Sequence, residues 1–280
     1  MKKLASAALV FVLAFVFLSC PTVSAAAPAL PVPGPSACAV VMNAKTGKII
    51  YNYDMNVKCY PASITKIMTA LLCFQYLKPD GSITISRAVL AATPADSSGI
   101  GVKFGETFTT EQAEYTMLLK SDNALANALA IYISGSPAKF AALMNKTAKS
   151  LGCKNTNFTN PSGYYDPKMV TTCYDMALIM QKALQDPNFV KVLSARQYKL
   201  TTKFRSVTLY NDDQMIFANS PYYDKNVVCG KTGYTDESRH TLATYADSSG
   251  SKVIVVVMHD TKTGKYDNTT KLLDYAFNRP

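Results

Sequence analysis

The sequence predicts an α/β fold of the α+β kind, in which an antiparallel sheet flanked by helices faces a mainly helical lobe across a cleft. Three observations predict it. The chain has 280 residues, 48% of them hydrophobic, which is enough to bury a large core. Apolar, strand-like runs bounded by turns stand near both ends, and the middle is dominated by capped segments of helical period. Strands from the two ends can then share one sheet, leaving the middle as a second lobe.

The elements follow in order. Residues 38–42 and 48–53 flank Asn43-Ala44-Lys45-Thr46-Gly47, a hairpin signature. From 63 to 77, Ile64, Ile67, Met68, Leu71 and Leu72 keep helical spacing. Thr109 with Gln112 forms a capping box that opens a helix to about Leu119. Ser136-Pro137 and Gly152 bracket a third helix through Leu151, and Thr172 with Asp175 opens a fourth, to about Leu184. Residues 241–246 and 252–258 flank Asp247-Ser248-Ser249-Gly250 as a second hairpin, and a last helix covers 268–277.

The N-terminus is of another kind. Lys2 and Lys3 precede an apolar run over 4–18, and small residues follow through Val23-Ser24-Ala25. This reads as an export signal over residues 1–25, too short for a membrane span of ~20 residues. Cys20 is a competing lipid attachment point, but Phe17-Leu18-Ser19 matches such sites poorly. The expected location is outside the cytoplasm, secreted or associated with the wall.

Formal charge is +10, including the two lysines of the leader. A basic surface would attract anionic wall polymers and lipid headgroups, although an ordinary solvated surface explains it equally well. No basic run interleaved with aromatics argues for nucleic acid. Only His240 and His259 could serve as histidine ligands, in no metal-like spacing, so neither metal nor cofactor is expected. Beyond the leader stand Cys38, Cys59, Cys73, Cys153, Cys173 and Cys229, an even number that exported proteins often pair. With a core this large and no CxxC pair, structural free thiols are the adopted reading.

The chemistry rests on three short patterns: S-x-x-K, S-x-N and K-T-G. The first occurs at Ser63, Ser136 and Ser249, the third at Lys45, Lys231 and Lys262, and the second only at Ser121-Asp122-Asn123. Context sorts the copies. Ser136 is a helix cap, Ser249 and Lys45-Thr46-Gly47 sit in hairpin turns, and Lys262-Thr263-Gly264 reads as a polar loop after the last strand. Ser63-Ile64-Thr65-Lys66 and Lys231-Thr232-Gly233 remain. Ser63 stands where a helix begins after Pro61, and Lys66, three residues on, shares its face. A helix start also offers N–H groups and partial positive charge to an oxyanion. A serine hydroxyl needs a neighbouring base, and a lysine can be that base only if burial and a nearby cation lower its pKa. Lys231 is the candidate second cation. Taken singly these motifs read as a cap with a surface lysine, a helix break and a turn; their joint occurrence in this order does not.

This set is shared by penicillin-binding proteins and serine β-lactamases. The chain resembles the low-molecular-mass D-alanyl-D-alanine carboxypeptidases in wider segments too: Tyr60-Pro61-Ala62-Ser63-Ile64-Thr65-Lys66-Ile67-Met68-Thr69, Leu118-Leu119-Lys120-Ser121-Asp122-Asn123-Ala124, Asn160-Pro161-Ser162-Gly163, Thr171 through Ala177, and Gly230-Lys231-Thr232-Gly233-Tyr234-Thr235. The resemblance implies a β-lactamase/transpeptidase-like fold and an acyl-enzyme route that trims the terminal D-alanine from peptidoglycan stem peptides ending in D-Ala-D-Ala, with β-lactams as covalent inhibitors. Ser63 would be the nucleophile, Lys66 its base, and Ser121 the proton relay to the leaving nitrogen. Asn123 would hold the substrate backbone, Lys231 and Thr232 its carboxylate, and the segment Gly233-Tyr234 would help bind it. The oxyanion would sit between the N–H groups of Ser63 and Tyr234. Many members carry histidine where Ser162 stands, and some have arginine near Asp212 and Lys265. Many also carry a C-terminal β-rich domain and an anchor. This chain ends at Pro280, so the expectation is a catalytic domain over 26–280 without them. An endopeptidase acting on cross-linked wall is an open alternative. A β-lactamase is less favoured, because no glutamate lies between Ser121 and Lys231 to drive deacylation.

Overall fold

The structure, a computed structural model, describes residues 37–278; the expected export signal and Cys20 lie outside the described residues. The described chain opens as the hairpin β1 (Cys38–Asn43) and β2 (Ile49–Tyr53). Asn43 Oδ1 accepts from the N–H groups of Lys45 and Thr46, and Gly47 takes a φ of 72° that favours glycine, so this K-T-G copy is a turn. A 3-10 turn (Ala62–Thr65) runs into α1 (Lys66–Tyr76). Next come β3 (Ser82–Thr84), α2 (Arg87–Ala91), β4 (Thr107–Thr109), α3 (Thr110–Leu119), α4 (Asn123–Ser134) and α5 (Pro137–Ser150). The chain continues through α6 (Cys173–Ala183), α7 (Pro187–Leu193) and a small hairpin of β5 (Gln197–Thr201) and β6 (Ser206–Tyr210). It closes with β7 (Val227–Thr235), β8 (Arg239–Ser248), β9 (Ser251–Asp260) and α8 (Gly264–Phe277).

The main sheet runs β2-β1-β9-β8-β7, with every neighbouring pair antiparallel, so both ends of the chain do share it. Its centre explains the unbroken apolar run in β9. Val253, Val255 and Val257 face Leu272 and Leu273 of α8, while Ile254, Val256 and Met258 face a second cluster with Ile67 of α1 and Met176 of α6. A strand buried on both faces has no polar side to alternate with. β7 is an edge strand, and the 3-10 turn carrying Ser63 packs against it.

The predicted caps are in place. Thr109 and Gln112 complete a reciprocal capping box, Ser136 accepts from Lys139 N, and Thr172 accepts from Asp175 N. The last hairpin's strands run longer than expected, so Asp247 and Ser248 belong to β8 and the turn narrows to Ser249-Gly250. Two further boundaries that differ bear on the motifs. The Ser63 segment begins as a 3-10 turn before continuing as α-helix. The last helix begins at Gly264, four residues earlier than predicted, so Lys262-Thr263-Gly264 is its approach rather than a polar loop. Thr261 Oγ1 accepts from Gly264 N, and a Cβ on Gly264 would collide with Asp260 and Thr261. A residue that sequence propensity reads as a break is here the one that fits. Within the described residues, no helix is long and apolar enough to cross a membrane.

Candidate active site

The 3-10 turn, the loop between α3 and α4, the 160–163 loop and β7 converge on one cleft of about 400 Å³, lined among others by Ser63, Asn123, Gly163 and Tyr234. Ser63 is half-buried at its floor. The residue before it, Ala62, has a φ of 50°, a conformation that costs a non-glycine residue energy. Two glycines make room for this turn. A side chain on Gly163 would run into the Ala62 carbonyl, and a Cβ on Gly233 would stand 2.8 Å from Ser63 N. Gly233 therefore lets the Ser63 N–H come up against the edge of β7.

Lys66 is wholly buried. Its Nζ lies 2.9 Å from Ser63 Oγ, 2.7 Å from Asn123 Oδ1 and 2.7 Å from the Ser162 carbonyl oxygen. Burial above all, and then the Lys231 cation, push its pKa well below the ordinary lysine value, with Asp122 opposing. A neutral amine has two N–H groups and one lone pair. Asn123 Oδ1 and the Ser162 carbonyl can only accept, so they take the two N–H groups, and the lone pair is left for the Ser63 hydroxyl. In the neutral form, which burial and the Lys231 cation favour, the amine is thus aimed at Ser63 Oγ.

Ser121 also has a left-handed backbone, at φ 56°. Its neighbour Asp122 organises this turn. One carboxylate oxygen caps α4 by accepting from Leu125 N (2.8 Å), the other accepts from Ile100 N (2.8 Å), and Asn123 N donates to the Ser98 carbonyl (2.9 Å). With the even member pinned, Ser121 and Asn123 project toward the two lysines: Asn123 meets Lys66, and Ser121 Oγ lies 3.0 Å from Lys231 Nζ. Lys231 is buried on β7, and burial lowers its pKa to about 8. Its remaining contact is the Thr232 carbonyl at 2.8 Å, so it keeps donor capacity for a ligand. Thr232 is half-buried beside it, and Tyr234 is exposed at the mouth, stacked on His240.

Three contributors were not singled out from the sequence. Asp122 carries a legible signal, an Asp immediately before an apolar run. The Ser162 carbonyl is a backbone contact, invisible to side-chain motifs. Asp213 lies buried behind β7, where its Oδ2 has no hydrogen-bond partner and a Cβ on Gly230 would strike it. Burial pushes its pKa up to about 6, against the pull of Lys231 and Lys265. Carboxylates also reach the cleft from outside the interval between Ser121 and Lys231. Asp96 accepts from Tyr164 Oη, Asp236 accepts from Tyr234 Oη, and Glu237 is exposed at the rim. No group of His, Cys, Asp and Glu with metal-binding geometry occurs among the described residues.

A buried lysine aimed at a serine on a strained turn, facing a second lysine on an edge strand, is the arrangement that the motifs shared by penicillin-binding proteins and serine β-lactamases would build. The family model for D-alanyl-D-alanine carboxypeptidases matches residues 25–262, and the chain belongs to that family. It is 34% identical over 246 residues to D-alanyl-D-alanine carboxypeptidase DacF of Bacillus subtilis, covering 86% of this chain and 62% of that protein. It is 29% identical over 255 residues to DacB2 of Mycobacterium tuberculosis, covering 89% and 84%. This chain thus spans less than two thirds of DacF but most of DacB2. The fold is similar to a crystal structure of a D-alanyl-D-alanine carboxypeptidase from Mycobacterium tuberculosis, with a TM-score of 0.81 at 27% identity over 91% of this chain and 96% of that one. It is also similar to the Streptomyces K15 DD-transpeptidase, with a TM-score of 0.82 at 25% identity over 89% and 99%.

Proposed function

We propose that this enzyme removes the terminal D-alanine from peptidoglycan stem peptides ending in D-Ala-D-Ala, outside the cytoplasm, through an acyl-enzyme on Ser63. The single observation that carries this reading is Lys66: buried, held by two acceptors, and 2.9 Å from Ser63 Oγ. The substrate lies extended along the free edge of β7, as an added strand would. Its terminal carboxylate meets Lys231 and Thr232, and a water-poor cleft has to match that charge with donors. Ser63 Oγ attacks the penultimate carbonyl as Lys66 takes its proton. The developing oxyanion is stabilised by the Ser63 N–H, and by the Tyr234 N–H on the strand opposite. Ser121, touching Lys231, gives its hydroxyl proton to the leaving D-alanine nitrogen and takes up in its place the proton that Lys66 removed from Ser63, so Lys66 is neutral again. Water then enters where D-alanine left and gives a proton to Lys66, which returns it to Ser63 Oγ as the shortened peptide is released.

A β-lactam places its strained amide in the same position and acylates Ser63. Glu237, a glutamate lining the cleft, is exposed, and no glutamate lies between Ser121 and Lys231, so penicilloyl-enzyme should persist for minutes or longer. The experiment is digestion of peptidoglycan fragments with purified protein, followed by mass spectrometry. Pentapeptides should become tetrapeptides with release of D-alanine. Loss of cross-linked dimers with pentapeptides untouched would make it an endopeptidase, and rapid catalytic destruction of penicillin would make it a β-lactamase.

A further inference from the structure

Three of the six cysteines among the described residues meet at one point. Cys38 stands at the start of β1, Cys59 in the segment entering the nucleophile turn, and Cys173 at the first position of α6. Cys38 Sγ is 3.4 Å from Cys59 Sγ and 3.5 Å from Cys173 Sγ. Their backbones are tied as well. Cys59 and Thr171 exchange N–H···O bonds of 2.9 Å in both directions, and Cys173 Sγ donates to the Cys38 carbonyl (3.2 Å). Cys73 and Cys229 are buried in apolar surroundings, and Cys153 donates to the Asp175 carbonyl. All six are thiols in this structure.

We propose that Cys38 and Cys59 form a disulfide when the protein meets an oxidising compartment, and that Cys173 is an alternative partner for Cys38. The sulfurs need approach by only ~1.4 Å to reach bonding distance, because they already sit in van der Waals contact. Cys59 is half-exposed whereas Cys38 and Cys173 are buried, so an oxidant meets the cluster at Cys59. With a small-molecule disulfide as oxidant, Cys59 loses its proton to water and its thiolate attacks one oxidant sulfur, expelling one thiol. Cys38, likewise deprotonated, then attacks Cys59 Sγ in the mixed disulfide and expels the second thiol. Two protein thiols become one disulfide, and one oxidant disulfide becomes two thiols. Cys173 can afterwards attack Cys38 Sγ, freeing Cys59 with no net redox change. The contact with Cys38 and burial hold the Cys59 thiol well above its ordinary range, and the contact with Cys173 does most to raise Cys38. Exchange with small disulfides should therefore be slow near neutrality and quicken as pH rises.

The bond would join β1 to the segment four residues before Ser63, closing a loop of about 20 residues. Its consequence is stability, so the test does not depend on the proposed activity. The folded chain is incubated with oxidised glutathione, alkylated and digested. Before alkylation the intact oxidised chain should be ~2 Da lighter than the reduced one and should lose ~5–10 °C of Tm on reduction; after alkylation and digestion the Cys38 and Cys59 peptides should be linked. In Cys59→Ser the link should move to Cys38–Cys173, and in Cys38→Ser no link should form. Alkylation of all six thiols after oxidation, glutathione remaining on Cys59 alone, or a link involving Cys73, Cys153 or Cys229 would overturn the proposal.

Discussion

Glu106 and Lys66 are equally inaccessible, and the fold treats them in opposite ways. Glu106 receives Arg205 in a two-pronged pair, Nε to Oε1 and Nη2 to Oε2 at 2.8 Å each, together with Thr202 Oγ1 and Lys103 N. The same guanidinium donates to the Ile100 and Gly101 carbonyls, fastening the loop behind the cleft to the β5–β6 hairpin. Lys66 receives no carboxylate at hydrogen-bonding distance. Its neighbours are an amide oxygen, a carbonyl and a hydroxyl, with a second cation acting on it. Where the charge is structural, the fold supplies its opposite; at the proposed base, the opposite charge is withheld and the neutral form is favoured.

Breaking this contrast at the base should have the largest effect. Lys66→Arg keeps the charge but cannot become neutral, so kcat/KM for a D-Ala-D-Ala peptide should fall by ~10³-fold or more. Lys66→Met should be as inactive, yet fold with a Tm no lower than the wild type, since it removes a buried amine without a counter-charge. A Lys66→Arg enzyme with near-normal turnover would remove the base from the account.

The structural pair should fail in the other currency. Arg205→Ala leaves Glu106 buried and unpaired and should cost ~3–5 kcal/mol in urea unfolding. Glu106→Gln combined with Arg205→Met should recover most of that loss. Catalysis per folded molecule should change little in either, if the loop keeps its place.

Thr232→Val tests recognition. Loss of a hydrogen bond to a charged group is worth ~1.5–3 kcal/mol, or ~10- to 100-fold in kcat/KM. An amidated substrate should suffer much less; equal harm to both would show that Thr232 does not read the carboxylate. Lys265, which stands near a position where some relatives carry arginine, is proposed as an auxiliary for the carboxylate: Lys265→Ala should have a smaller effect than Thr232→Val, and Lys265→Arg should equal or exceed the wild type, because a guanidinium offers a fork that an ammonium lacks.

The pH profile of kcat/KM sharpens the same contrast between the two lysines. Its rising limb should report loss of the Lys66 proton, well below the ordinary lysine value, and its falling limb loss of the Lys231 cation at about 8. Both amines have pKa values lower in the folded state than in the unfolded one. Their contribution to stability is therefore complete above the ordinary lysine value, and that of Lys231 is lost as pH falls through about 8. A single-limbed profile that keeps rising past pH 9 would assign the cationic role elsewhere.

The sequence was most readable where one residue acts on its near neighbours. The capping box at Thr109, the Ser136 and Thr172 caps and the Ser249-Gly250 turn each have a local physical cause, and the structure shows them. α4 shows no clear helical period in the sequence, because a segment buried nearly all round has little polar face to mark it. Asp212 and Asp213 are adjacent and chemically identical, yet one pairs with Lys120 at the surface and the other is buried beneath Gly230. Only the tertiary path of the chain distinguishes them. The same holds for the Ser162 carbonyl, which completes the lysine's coordination through an atom every residue possesses.

In the proposed reaction one serine, Ser63, activated by Lys66, carries the acyl group. The most direct measurement is peptide mapping of the protein after reaction with a labelled penicillin, by mass spectrometry. One adduct is expected, on Ser63, absent from Ser63→Ala and Lys66→Arg proteins that are otherwise folded. A label on Ser121, Ser136 or Ser249, or undiminished labelling of Ser63→Ala, would contradict it.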